Sequence, residues 1–264
     1  MRLSISSKSN DKTSISSNNY QHRPLGCPCP GISILINHCY LNPIDENDPI
    51  KYSEIVDGLI KCFNLTKSHA LLLSLSATKI CGLKGALTIA QLGSHGMIEH
   101  DASITRFNHS DGDSLNPSPK LINEFLSGLL NPTQATLMDY AIKLSTLRSS
   151  CLETMNSKLK FLSGGEVGLT ISIFGDGCNT VTSEALRSIL LEEKLPENYQ
   201  RPLKPVTCLD VVKISKRVNK LVKQIDQLNE NKGNSKEVGK FEINDKKDVE
   251  DRIKDIKKNN LINA

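Results

Sequence analysis

The chain has no tryptophan, and only five tyrosines and six phenylalanines in 264 residues. Any substrate channel must therefore be lined mostly by other side chains. No stretch approaches the roughly 18 apolar residues of a membrane span; "ALLLSLSA" (Ala70–Ala77) is short and carries two serines. The first twenty residues are polar and rich in serine and asparagine, with no apolar run of the secretory type, so they read as a disordered lead-in. An intracellular place is the expectation from that. The eight cysteines, at 27, 29, 39, 62, 81, 151, 178 and 208, show no paired C-x-x-C spacing. Free, mostly buried thiols are the expectation, not a disulfide framework or a closed zinc site. Charge of one sign is also missing from most of the chain. Residues 1–205 carry 19 basic and 19 acidic side chains, and the net +4 falls on the stretch after Pro205. That balance gives no case for a nucleic-acid surface on the core.

What is present is helical spacing, with little strand-like alternation and no internal repeat. Ile55, Leu59, Cys62 and Phe63 fit one helix face. Leu121, Phe125 and Leu129 fit another, after a start at Pro117–Pro119 and before Pro132. Met138–Met155 reads as one long helix, Glu166–Phe174 as an apolar one, and Glu184–Lys194 as an amphipathic one ending before Pro196. Phe107–Pro119 reads as a loop, and long ordered loops are often functional. The expected class is a mainly α protein: a lead over 1–19, one helical domain with long loops over 20–205, an amphipathic helix over 206–230, and a charged linker and tail, helical or disordered, over 231–264. In the 206–230 segment, Val211, Ile214, Val218, Leu221, Ile225 and Leu228 follow an a/d spacing. The seam lasts under three heptads, so it suits either a helix packed on its own core or a homodimer through 211–228.

Three clusters could carry chemistry. In "GCPCPGISILINHCY", Pro28 and Pro30 fix the backbone on both sides of Cys29, and a helix is expected to start near Gly31. A cysteine just ahead of a helix meets free N–H groups and the positive end of the helix dipole, which favour thiolate. It could serve as nucleophile, zinc ligand, haem ligand or inert structural thiol, and Cys27 raises the case of a metal held by both sulfurs. In "GMIEHDASITR", Asp101 could orient His100 through a ring N–H, and Glu99 and Ser103 offer hard oxygen ligands suited to Mg²⁺ or Mn²⁺. In "FLSGGEVGLTISIFG", Glu166 either sits near a helix N-terminus or is buried with a raised pKa for proton transfer. Taken alone, that stretch favours the N-terminal position.

In order along the chain, "PCPGISILINHCYLNP", "LTIAQLGSHGMIEHDASITR", "GGE" and "EEKLP" resemble the haem-thiolate peroxidase family of chloroperoxidase and the unspecific peroxygenases, from about His22 to Pro202. The match to that family's E-H-D-x-S-x-x-R motif is complete. Four positions depart from the family pattern: Ser33 for asparagine, Cys39 for glycine, Gly164 for the tyrosine before G-E, and Lys194 for the arginine of E-R-L-P. Leu159 stands where longer members carry an arginine, and His100 is present, as in the short, histidine-type branch.

The resemblance implies a helical chloroperoxidase-like domain binding haem b, with Cys29 as the axial iron ligand. It implies Glu166 as the proton-transferring group toward hydrogen peroxide, with His100 and Asp101 supporting it. It also implies Mg²⁺ or Mn²⁺ at Glu99, Ser103 and the His100 carbonyl, beside a haem propionate. The substrates would be hydrogen peroxide and a small organic molecule. The family is commonly secreted, against the intracellular expectation above. Gly164 beside the expected acid brings the shape of the pocket into question. Two other readings stand beside the enzyme: a member that kept the fold, with or without haem, and lost peroxide activity, and an interaction module whose C-terminal helix is the working part.

Overall fold

The computed structural model describes residues 19–80, 85–151 and 157–233. The lead over residues 1–18, Cys81, and the tail from 234 onward lie outside the described residues, so the expectations placed on them are not pursued.

Each helix start can be traced to a local signal. α1 (Pro30–Asn37) has Cys29 at its N-cap and proline at its first position, where the missing N–H costs nothing. β1 (Ile50–Lys51) runs into α2 (Tyr52–Phe63), where Glu54 accepts from the Lys51 N–H at 3.2 Å. Asn64 ends that helix in a left-handed conformation. α3 (Lys67–Ile80) packs back on α2. β2 (Ala86–Leu87) leads into the short α4 (Ile89–Leu92), started by the reciprocal Thr88–Gln91 capping pair. Between α4 and α5 (Pro119–Ser127) the chain forms no helix or named strand, and this long segment carries the E-H-D motif.

β3 (Gln134–Ala135) precedes α6 (Leu137–Ser150), capped by Thr136 and Asp139. α7 (Ser157–Phe174) follows, then β4 (Val181–Thr182), α8 (Ser183–Leu190) and α9 (Cys208–Gly233). The strands form two short antiparallel pairs. Ile50 faces Leu87 in β1–β2, and Ala135 faces Val181 in β3–β4. Each strand lies just ahead of a helix, so each pair ties two helix starts together. The described residues are mainly helical, as expected, and no helix among them is long and apolar enough to cross a membrane.

Three boundaries differ from the sequence expectation. α6 stops at Ser150 because Cys151 turns to extended backbone, and residues 152–156 lie outside the described set. On α5 the buried side chains are Ile122, Phe125 and Leu126, continued by Leu129, while Leu121 is only half-buried. Glu166 sits in the middle of α7, not at its start. The pair Gly164–Gly165 suggests a break, yet the helix runs straight through it.

The reason lies in α9, which packs chiefly on α6 and α7. A Cβ on Gly164 would collide with Asn219 Nδ2, and one on Gly168 would lie 2.6 Å from the Val211 carbonyl oxygen. The two glycines, one turn apart on α7, let the helix axes approach closely. Val211, Val218 and Ile225, three of the a/d positions, are buried in this packing. The seam that the sequence left open between a partner helix and the chain's own core is thus engaged on the core.

Candidate active site

The loop ahead of α1 presents Cys29 at the wall of a largely apolar cavity of about 260 Å³. Pro28, Ile32, Phe63, Leu73, Ile104 and Leu144 are among its lining side chains. Burial pushes the Cys29 thiol up. The Ile32 and Gly31 amides and the Arg106 charge pull the other way, without a closed capping hydrogen bond, and the nearby Glu166 charge adds to the rise. The expected preference for free thiolate is therefore outweighed by burial. Such a sulfur is a poor free nucleophile, but coordination to a metal deprotonates a thiol outright. Cys27 is buried, pushed up to about 12 chiefly by burial, and its Sγ donates to the Cys29 carbonyl at 3.5 Å. That contact ties the Cys27 side chain to the turn that carries Cys29.

A buried polar clamp holds this loop, and sequence reasoning did not foresee it. Arg106, the last residue of the E-H-D-x-S-x-x-R motif, donates through Nη2 to the Cys27 carbonyl at 2.8 Å and to Glu193 Oε1 at 2.7 Å. Its Nε reaches the Leu115 carbonyl and its Nη1 reaches Thr105. Both charged side chains are buried. Burial raises the Glu193 carboxyl, and the Arg106 charge opposes the rise. Glu193 also sits at φ 48°, a strained conformation for a non-glycine residue, and its carbonyl accepts from Asn37 Nδ2 at 3.0 Å. His38 Nε2 accepts the Leu195 N–H at 3.0 Å, while burial and then Lys194 lower its pKa and favour the neutral ring. Residues of the P-C-P, E-H-D-x-S-x-x-R and E-E-K-L-P strings thus meet behind Cys29. Cys39, where the family pattern has glycine, adopts φ 60°, which glycine takes without strain.

Glu166 lines the same cavity from α7, and its side chain is 47% exposed. His100 Nε2 lies 3.3 Å from Glu166 Oε1, across 66 residues of sequence. The His100 ring is buried. Burial alone would lower its pKa, but the charge and hydrogen bond of Glu166, the Asp101 carbonyl and the Glu99 charge together raise it to about 9. With both ring nitrogens protonated, Nδ1 donates to the Asp101 carbonyl oxygen at 2.7 Å and Nε2 donates to Glu166. The partner of the His100 ring is therefore the Asp101 main-chain carbonyl and not, as the sequence suggested, its carboxylate. That carboxylate accepts instead from the His109 N–H at 2.8 Å. Ala102, at φ 61° and tied to Asn108, closes the turn that makes this possible.

Glu99 is buried. Its Oε2 pairs with His95 Nδ1 at 2.7 Å, and its Oε1 has no hydrogen-bond partner among the described residues. Ser103 lines the cavity, and its hydroxyl contacts Thr105 at 3.3 Å. Gly164 does not line the cavity; it faces Asn219 and Ser215 of α9. The departure from tyrosine at this position belongs to helix packing.

Residues 19–204, well over half of the chain, match the model of a family described as peroxidase, family 2. The chain belongs to that family, and its all-α architecture is the chloroperoxidase-like one. Its chemistry is of the peroxidase type: an oxidoreductase acting with peroxide on a small substrate. A search of curated proteins returned no match.

Proposed function

We propose that this member of the family is a haem-thiolate peroxidase or peroxygenase of the histidine type, oxidising or oxygenating small organic molecules with hydrogen peroxide. The carrying observation is that Cys29 and Glu166 line one apolar cavity, with His100 hydrogen-bonded to Glu166 behind it. The donor chemistry fits haem b. One sulfur opens on the cavity, and the neighbouring Cys27 is held as a thiol. When bound, the haem would supply an iron centre whose thiolate donor favours cleavage of the peroxide O–O bond.

The chain's own residues supply the rest. Cys29 would hold the iron, fixed by the helix start and by Arg106 on the adjoining carbonyl. Glu166 would hold and move the peroxide proton, accepting it at its carboxylate from one oxygen and returning it to the other, which would leave as water. His100 is a positioning residue: its Nε2–H fixes the carboxylate, and the Asp101 carbonyl fixes the ring. The half-exposed setting of Glu166 gives peroxide access, while the aliphatic walls exclude bulk water and suit an apolar substrate. For the Mg²⁺ or Mn²⁺ that the resemblance implies, the unpartnered Glu99 Oε1 is a fitting oxygen ligand. Ser103 and the His100 carbonyl would complete the set.

The test is Glu166→Gln. It keeps the shape and removes the proton carrier, so peroxide-dependent oxidation should fall about 10²- to 10⁴-fold with haem loading unchanged. Undiminished turnover would remove Glu166 from the mechanism. Absence of turnover in fully haem-loaded wild type would favour the alternative of a silent family member.

A further inference from the structure

We infer that His95, Glu99 and His109 form a site for a divalent transition cation of the zinc class. It is separate in its donors from the oxygen-ligand site that the resemblance implies, sharing with it only Glu99. One ligand atom from each of the three residues lies within 4.8 Å of the other two. His95 Nδ1 is 2.7 Å from Glu99 Oε2, and the His95 and His109 rings stack with centroids 4.5 Å apart. The second observation is the Glu99 carboxylate itself. It is almost wholly buried, and its Oε2, the oxygen beside His95 Nδ1, is the donor it offers here, which leaves Oε1 for the oxygen-ligand site. A buried carboxylate is costly unless its charge is met, and a cation shared with two imidazoles is one way to meet it.

Two imidazoles and one carboxylate suit Zn²⁺ and its neighbours, not Mg²⁺, which prefers oxygen donors. Three protein ligands leave a position for water, and the exposed edges of His95 and His109 give the ion an entry path. The site also has a location where a clip is useful. His95 precedes the His100 turn and His109 follows Arg106, within the long segment that has no helix between α4 and α5. A bound cation would tie the two sides of the turn that carries His100.

The experiment takes the full-length chain, dialysed against chelator, and titrates it with Zn²⁺ and separately with Mg²⁺. Wild type is compared with His95→Ala, His109→Ala and Ser103→Ala. The expected result is one high-affinity Zn²⁺ per chain, weakened at least about tenfold in either histidine variant, kept in Ser103→Ala, and not matched by Mg²⁺. Zinc-edge X-ray absorption should show imidazole and oxygen neighbours without sulfur, which separates this site from the free thiols. Saturating Zn²⁺ should raise the melting temperature of wild type more than that of the histidine variants. His109 is exposed, so its variant is expected to fold even if His95→Ala does not. Sulfur neighbours, affinity unchanged in His109→Ala, or loss confined to Ser103→Ala would each overturn the inference.

Discussion

Arg106 and Glu193 form a buried ion pair at 2.7 Å, and the same guanidinium nitrogen donates to the Cys27 carbonyl two residues before Cys29. The pair therefore does more than join distant segments. It fixes the peptide from which the candidate iron ligand projects. Removing one member leaves the other charge buried and unpaired, which typically costs about 3–5 kcal/mol. Arg106→Met should lower the unfolding free energy by that order in urea titration. The double variant Arg106→Met, Glu193→Met should recover part of the loss, because no lone charge remains. A single variant as stable as wild type would show that the pair does not hold the loop.

Gly164 offers a second test, this time of packing. A methyl group there meets Asn219, whose Oδ1 also accepts from Arg148 at 3.0 Å. Gly164→Ala should destabilise by about 1–3 kcal/mol through overpacking, and Asn219→Ala in the same chain should relieve part of it. Cavity chemistry should survive in whatever fraction remains folded, since this position faces α9. Unchanged stability together with altered substrate oxidation would return Gly164 to the pocket.

The proton on His100 links stability to pH. Its pKa rises from the ordinary 6.5 to about 9 on folding. The stabilisation is therefore fully present below about pH 6.5 and is lost as pH rises through about 9. Wild type compared with His100→Gln should show a stability difference that shrinks between those two values. Peroxide turnover should decline over the upper part of the same range, as Glu166 loses its charged neighbour. A difference that grows with pH would mean that His100 is neutral in the folded protein.

The sequence carried the helical class and the residues of the three clusters, because prolines, caps and a complete E-H-D-x-S-x-x-R string are local signals. It carried less of their arrangement. Arg106 and Glu193 are 87 residues apart, and nothing in their spacing links them. That Asp101 serves His100 by its carbonyl and not its carboxylate depends on the left-handed turn at Ala102, which an alanine does not announce. Glu166 looked like a helix-start residue because two glycines precede it. The first of them, Gly164, is explained by α9, folded back against α7 some fifty residues later in the chain, while a Cβ on Gly165 would meet nothing within 4 Å among the described residues.

The central claim, that Cys29 binds haem iron, is tested most directly by the reduced carbon monoxide difference spectrum of haem-loaded wild type beside Cys29→Ala. A strongly red-shifted thiolate-type Soret band in wild type, absent from the variant, is the predicted result. A fully loaded wild-type protein without that band, or a Cys29→Ala protein that keeps it, would contradict the claim.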